Sequence, residues 1–332
     1  MINNFKIISV ILVVILHASM VYAINESVPY EMINFLLNND NYADKVLIVD
    51  KSEQAAYFYS ILFDPLQLNL INQYQVTTGK NNGDKAKQGD RKTPEGFYII
   101  EGKIPNSRLS AMYGYGAYPI NYPNQIDRYL NKKGNGIWLH GTDRPLTPYD
   151  TDGCIRFEND DLKELSSEFQ YGKTVVIINE VTKWISAEEL NNEVKKYQQL
   201  LSDWKSAWES QNITAYLQFY YADFYTKNLR MNFERWAKYK ERINNKRNNI
   251  QIKITNPKLF YSNDHLLLEF KQEYISSNYS DIGVKSMLWK KEGDNWLILR
   301  EDWDGHAVPI ESKIKIDLNK QVPEALEDLS DE

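Results

Sequence analysis

Ile137-Trp138-Leu139-His140-Gly141 is followed, after a polar and turn-rich span, by Thr151-Asp152-Gly153-Cys154-Ile155-Arg156. This window holds the only cysteine among 332 residues. A thiol becomes a useful nucleophile when a neighbour takes its proton, and an imidazole closing a strand is suited to that task. Taken singly, a lone cysteine is usually a small buried hydrophobe and a lone histidine a satisfied polar group. Their surroundings favour chemistry. Gly153 lets the backbone approach a substrate, so that N–H groups there can face a developing oxyanion. Arg156 places a fixed positive charge two residues on, suited either to a substrate carboxylate or to buttressing the loop. Cys154 (nucleophile), His140 (proton donor and acceptor) and Gly153 (backbone oxyanion donor) are therefore the candidate catalytic residues.

Upstream, the pattern is one of short strands. Val46–Val49, Ala55–Ser60, Leu68–Thr77, Gly96–Ile100, Ile137–His140 and Thr174–Ile178 are separated by Gly, Pro, Asn and Asp clusters, which predicts a mainly antiparallel β domain. The helix predicted inside it, Asp160–Phe169, directly follows the cysteine strand. Between Gly102 and Gly136 the chain is rich in Tyr, Pro, Asn and Gly and predicts a long irregular segment of the kind that often binds ligands. Tyr113, Tyr115 and Tyr118 lie in it, and rings of this type stack on sugars or pack a loop. Tyr118, Gly141 and Arg156 are the candidate substrate-binding residues.

The cysteine window resembles the catalytic signature of the L,D-transpeptidase (YkuD-type) family, His-Gly followed by Ser/Thr-x-Gly-Cys-Ile/Val-Arg. Gly89-Asp90-Arg91-Lys92-Thr93-Pro94-Glu95-Gly96-Phe97-Tyr98 resembles that family's Gly-Asp-x-x-Thr-Pro-x-Gly-x-Tyr/Phe segment. Leu47–Lys51 with Ala56–Tyr59 resembles its opening hairpin, and Val76–Lys80 its next strand and turn. The resemblance covers residues 45–180 and implies a β-sandwich-like catalytic domain with a short helix. At position 152 this chain has Asp where many relatives carry His or Ser. Asp152 could raise the thiol pKa by repulsion or help to hold His140 as imidazolium, and sequence does not choose between them.

The first 23 residues have the form of an export signal. Lys6 precedes the apolar run Ile7–Leu16, and Val21-Tyr22-Ala23 offers small residues where a signal peptidase reads. The apolar run is about half of the roughly 20 residues needed to span a bilayer, so no stable membrane span is expected after cleavage. Residues 24–44 are expected to contain a helix, since Met32, Ile33, Leu36 and Leu37 recur at helical spacing before Asn38-Asn39-Asp40-Asn41. With 42% hydrophobic and 25% charged residues the chain is ordinary globular protein, long enough for two domains. Its net charge of -6 argues against a general nucleic-acid binder.

A second domain is predicted beyond Val181. Ser186-Ala187-Glu188-Glu189 starts a helix, which over 181–197 serves as a linker, and Leu190, Val194, Tyr197, Leu200, Leu201 and Trp204 form its apolar stripe. Trp208, Tyr216, Phe219, Tyr220, Phe224 and Tyr225 continue as an aromatic-rich helical region. Beyond Ile250 the period becomes two, with strands at Gln251–Thr255, His265–Tyr274, Val284–Lys291 and Asn295–Asp302, giving an α+β domain. The run Asp203-Trp204-Lys205-x-Ala207-Trp208, Tyr216-Leu217-x-x-Tyr220, Asp223-Phe224 and Trp296-x-Ile298-x-x-Glu301-x-Trp303 resembles nuclear-transport-factor-2-like (NTF2-like) domains. More specifically, it is similar to those joined to cell-shape-determining L,D-carboxypeptidases. The domain is expected over 198–308, with an acidic tail at 309–332.

What the resemblances imply is acyl transfer on peptidoglycan stem peptides in the periplasm. Cys154 would attack the carbonyl of a diamino acid linked through its L-centre to a terminal D-alanine, and a thioester would form. Water as acceptor gives an L,D-carboxypeptidase; an amine of a neighbouring stem gives an L,D-transpeptidase. Thiol and imidazole need no cofactor. With no second cysteine, no carboxylate–histidine cluster at ligand spacing, and poor candidates in His265 and His306, no metal site is expected. A homodimer or a cell-shape protein is the expected kind of protein partner. The reading from another class is an exported, non-catalytic module that binds peptidoglycan or a partner through a C-terminal pocket.

Overall fold

Apolar β-branched and aromatic residues dominate the strand-forming stretches, and they assemble into sheets whose inner faces exclude water. The computed structural model describes residues 27–37, 42–64 and 66–308. The expected export signal and acidic tail lie outside the described residues. Two compact units are present: residues up to Gln198 with Leu259–Leu266, and Gln199–Lys258 with the chain from Leu267 onward. Among the described residues no helix is long and apolar enough to cross a membrane.

The first unit contains β1 (Ser27–Pro29), α1 (Ile33–Leu37), β2 (Lys45–Asp50), β3 (Ala55–Phe63), β4 (Leu66–Thr77), β5 (Gly96–Ile99) and β6 (Ala117–Pro119). It continues with α2 (Gln125–Tyr129), β7 (Trp138–His140), β8 (Ile155–Phe157), α3 (Asn159–Ser166), β9 (Val175–Asn179) and β10 (Trp184–Ser186). Eight of these strands form one sheet in the order β5-β9-β2-β3-β4-β8-β7-β6. Most pairs are antiparallel, but β2 with β9 and β7 with β8 are parallel. The two end strands meet. Ile100 bridges Ile120 and Ile104 bridges Ala117, while Glu101 N–H donates to Pro119 O (2.9 Å) and Asn121 N–H to Ile99 O (3.0 Å).

Leu47, Val49, Phe58, Val76, Leu139, Ile155 and Phe157 fill the core inside this curled sheet, and Leu162 and Leu165 of α3 close it. Every residue of β9 is buried, as expected for a strand covered on both faces. Two expectations change here. The N-terminal segment is not one helix: Ser27–Pro29 pairs with Trp184–Ser186, and only Ile33–Leu37 is α-helical after a 3₁₀ turn at Tyr30–Met32. Pro29 explains part of this, because it lacks the N–H that a continuous helix would use. The segment 102–136 is more ordered than expected, holding β6 and α2, the latter fixed by an Asn124–Asp127 capping box.

Residues 181–183 are irregular and Trp184–Ser186 form β10, where helix was expected, and α4 (Ala187–Glu209) follows. Ser186 and Glu189 cap it reciprocally, with Ser186 N–H donating to Glu189 Oε2 (3.0 Å) and Glu189 N–H to Ser186 Oγ (3.1 Å). The remaining elements are α5 (Ile213–Leu217), β11 (Tyr220–Thr226), β12 (Met231–Asn232), α6 (Phe233–Asn244), β13 (Gln251–Ser262), β14 (His265–Ile275), β15 (Ser280–Glu292) and β16 (Asn295–Ala307). They build a sheet in the order β12-β11-β16-β15-β14-β13. Tyr220–Thr226 is thus a strand, lying parallel to β16, where the aromatic spacing had predicted helix. Its alternating burial places Tyr220, Phe224 and Thr226 inside. The core of this unit is aromatic, with Trp204, Tyr216, Phe224, Phe270 and Trp289 almost fully buried.

Candidate active site

The parallel pair β7 and β8 brings the two halves of the cysteine window together. Leu139 is level with Ile155 and His140 with Arg156, so Cys154, just before β8, adjoins Trp138 two residues before His140. The Trp138 backbone bonds to the thiol and favours its ionisation. His140 is only 3% exposed. Its Nδ1 lies 2.6 Å from the Gly141 carbonyl. A carbonyl can only accept, so Nδ1 carries hydrogen and Nε2 keeps its lone pair.

Burial pushes the His140 pKa down to about 4; the Gly141 bond opposes this and the charge of Arg156 adds to it. Burial likewise pushes the Cys154 thiol up to about 11, against the Trp138 backbone and the cations Arg156 and Lys85. At neutral pH the resting pair is therefore a thiol and an unprotonated imidazole. The sulfur donates to Gly136 O (3.4 Å). The ring of Tyr113 lies 5.1 Å from Trp138 and meets His140 edge-on at 5.1 Å, limiting how the imidazole can turn.

The turn before Cys154 is braced from within and from the Gly-Asp-x-x-Thr-Pro segment. Thr151 Oγ1 donates to Cys154 O (2.7 Å) and accepts from Gly153 N–H (3.1 Å). Thr93 Oγ1 accepts from Gly79 N–H (2.8 Å) and donates to Gly153 O (3.0 Å). Gly153 has φ +128°, and a Cβ there would meet Lys92 O at 2.7 Å. Its requirement for glycine is conformational. Because its N–H is already bonded to Thr151, the oxyanion role expected of Gly153 is not set up in this structure.

The other expected residues are placed as follows. Arg156 is 6% exposed and bonds Asp150 through its carboxylate (3.3 Å) and its carbonyl (2.9 Å), which is the buttressing geometry. Tyr118 is 1% exposed and belongs to the core, its ring edge-on to Phe169. It is removed from the surface a substrate would touch, because β6 turns it inward. Gly141 supplies the carbonyl that holds His140, and a Cβ on it would lie 2.3 Å from Asn159 Oδ1. Asp152 is exposed, 3.6 Å from Lys80 and 3.7 Å from Arg91; it raises the thiol pKa slightly and does not contact His140.

Sequence reasoning missed two residues. Thr93 stood within a recognised segment, but its bond to Gly153 spans a separation that periodicity does not register. Asn159 bonds Tyr115 N–H (2.7 Å), Thr142 N–H (3.2 Å) and Thr142 O (2.7 Å), yet in the sequence it is one of several polar residues at a helix start. Among the described residues no cluster of three or more His, Cys, Asp and Glu could hold a metal ion.

The second unit has a cavity of about 90 Å³ lined by Trp208, Trp236, Lys240, Gln272, Asp281 and Lys285, among others. Lys240 Nζ sits 3.7 Å from the Trp208 ring and 4.5 Å from that of Trp236. Burial pushes its pKa down to about 7, with Glu301 opposing and Lys285 assisting. Lys285 pairs with Glu301, which also accepts from Tyr220 OH (2.6 Å). Trp208 Nε1, Trp236 Nε1, Gln272 Oε1, Tyr274 OH and Asp281 Oδ1 are buried without a hydrogen-bond partner. Such atoms are costly unless a ligand or solvent satisfies them.

Residues 44–178 match the L,D-transpeptidase catalytic domain family (YkuD), and residues 196–302 match the Cds6 C-terminal NTF2-like domain family. Bd1075 of Bdellovibrio bacteriovorus is 28% identical with a TM-score of 0.61, over 85% of this chain and 99% of that one. A mutant of Pgp2, the helical cell shape determining protein of Campylobacter jejuni, is 26% identical with a TM-score of 0.61, over 82% of this chain and 98% of that one. YafK of Escherichia coli strain K12, an L,D-transpeptidase by name, is 27% identical over 151 residues, 43% of this chain. The match spans about half of YafK, 54% of its length. The chain thus pairs an L,D-transpeptidase-type catalytic domain with a C-terminal NTF2-like domain.

Proposed function

We propose that this chain, with its L,D-transpeptidase-type catalytic domain, is a peptidoglycan-modifying enzyme of the cell envelope that works through a thioester on Cys154. The observation that carries the reading is the His140 imidazole, fixed by Gly141 O so that Nε2 keeps its lone pair, with the Cys154 thiol immediately before the strand paired to its own. A stem tetrapeptide presents the carbonyl between its L-centre diamino acid and D-alanine. The Cys154 proton passes to His140 Nε2 as sulfur bonds to that carbonyl, and the backbone N–H of Cys154 stabilises the oxyanion. Collapse breaks the C–N bond, and His140 returns the proton to the departing D-alanine amine. Water or an amine then attacks the thioester, giving its proton to His140, which restores the Cys154 thiol.

Water gives a shortened tripeptide stem and an amine a cross-link between two stems. Similarity to a cell-shape-determining protein across both domains supports trimming by water. Mass spectrometry of disaccharide-tetrapeptide muropeptides incubated with the purified protein decides between them. Tripeptide is the expected product, absent with Cys154→Ala. Cross-linked dimers would instead make the enzyme a transpeptidase, and unchanged substrate with a reduced thiol would overturn both.

A second reading is favoured by the orphaned polar atoms around Lys240. On it, the NTF2-like domain binds peptidoglycan or a protein partner and the thiol is silent. Failure of Cys154 to be acylated by a carbapenem, together with retained binding to sacculi, would favour this alternative.

A further inference from the structure

His140 is useful only while Nδ1–H points at the Gly141 carbonyl, so whatever holds that carbonyl sets the base. β7 ends at His140, and the following Gly141–Thr142 turn lies beyond the strand ladder. The Gly141 N–H is tied to Gly116 O (3.1 Å), which leaves the Thr142 side of the turn to be fixed by other means. Asn159, the first residue of α3, does this with its side-chain amide. Oδ1 accepts from Thr142 N–H (3.2 Å) and Tyr115 N–H (2.7 Å), while Nδ2 donates to Thr142 O (2.7 Å).

Two glycines make room for that amide. A Cβ on Gly114 would lie 2.1 Å from Asn159 Oδ1 and one on Gly141 2.3 Å from it. One amide thereby joins the turn that carries the Gly141 carbonyl to the loop that carries Tyr113, whose ring abuts His140. The adjacent Glu158 makes no side-chain capping bond, and Asn159 bonds across to these loops rather than to its own helix. Its contacts are those of a clamp on the imidazole's surroundings.

We propose that Asn159 is a positioning residue that holds the Gly141–Thr142 turn and the Tyr113–Tyr115 loop together and so fixes the tautomer and aim of His140. Asparagine is required because the site needs an acceptor for two N–H groups and a donor for one carbonyl. Aspartate preserves the acceptor but sets an anionic oxygen against Thr142 O.

The inference rests on His140 acting as the base in the acyl-transfer reading, and its test separates the two. The chain has four histidines, so a nitrogen-15 spectrum of histidine-labelled protein, assigned with His140→Gln, reads the His140 tautomer directly. In the native protein Nδ1 is expected to be protonated and Nε2 bare. Asn159→Ala and Asn159→Asp are expected to mix the tautomers and to lower kcat for D-alanine release on the order of 100-fold, with KM little changed. A folded Asn159→Ala or Asn159→Asp protein with the native tautomer and at least half of native kcat would overturn the proposal. Should Asn159→Ala not fold, Asn159→Asp supplies the same readouts. If the native protein released no D-alanine, the acyl-transfer reading would fail while the imidazole spectrum still decided the role of Asn159.

Discussion

An imidazole held at about 4 and a thiol held at about 11 leave both groups uncharged across the neutral range. The same displacement acts on stability. His140 binds its proton less readily when folded than when unfolded, so as pH falls from about 6.5 to about 4 the unfolded state gains protons that the folded state refuses. Stability tied to His140 is therefore complete above about 6.5 and is lost on acidification, by on the order of 3 kcal/mol. Urea unfolding at a series of pH values should show a steeper decline in this window for the native protein than for His140→Gln. Equal slopes would mean that the imidazole is far less desolvated than its 3% exposure implies.

At the scale of elements, the cysteine turn depends on a segment about sixty positions earlier in the chain. Thr93 is fully buried, and its hydroxyl satisfies both Gly79 N–H and Gly153 O. Thr93→Val keeps the shape but leaves that donor and acceptor unpaired, an expected loss of about 2 kcal/mol. Thermal unfolding should register it, with a fall in kcat as the turn loosens; an unchanged midpoint would show the bonds to be dispensable. The strands of the first unit were legible because short runs of apolar and aromatic residues bounded by turn-forming ones are a local signal, as Val46–Val49 and Ala55–Ser60 illustrate. The candidate pair Cys154 and His140 was legible as chemistry on a short window. Tyr220–Thr226 was not, because its aromatic spacing also suits a helix and its parallel pairing with β16 is a long-range choice. Neither could Tyr118 be assigned, since a loop tyrosine and a core tyrosine have the same sequence and differ only in which way β6 faces.

At the scale of the molecule, the Cys154–His140 site and an unsatisfied polar cavity occur on separate units. If the cavity serves binding, its loss should be separable from chemistry. Lys240→Met removes the ammonium that lies against Trp208 and Trp236 while retaining an apolar stem. Sedimentation with purified sacculi should then weaken about tenfold or more, with D-alanine release from soluble muropeptides unchanged. Equal loss of both would argue that Lys240 supports the whole fold instead. The first unit has one further property. Its end strands are joined through Ile100 with Ile120 and Ile104 with Ala117. This join pairs the backbone at the seam between β5 and β6, so a foreign strand cannot add there.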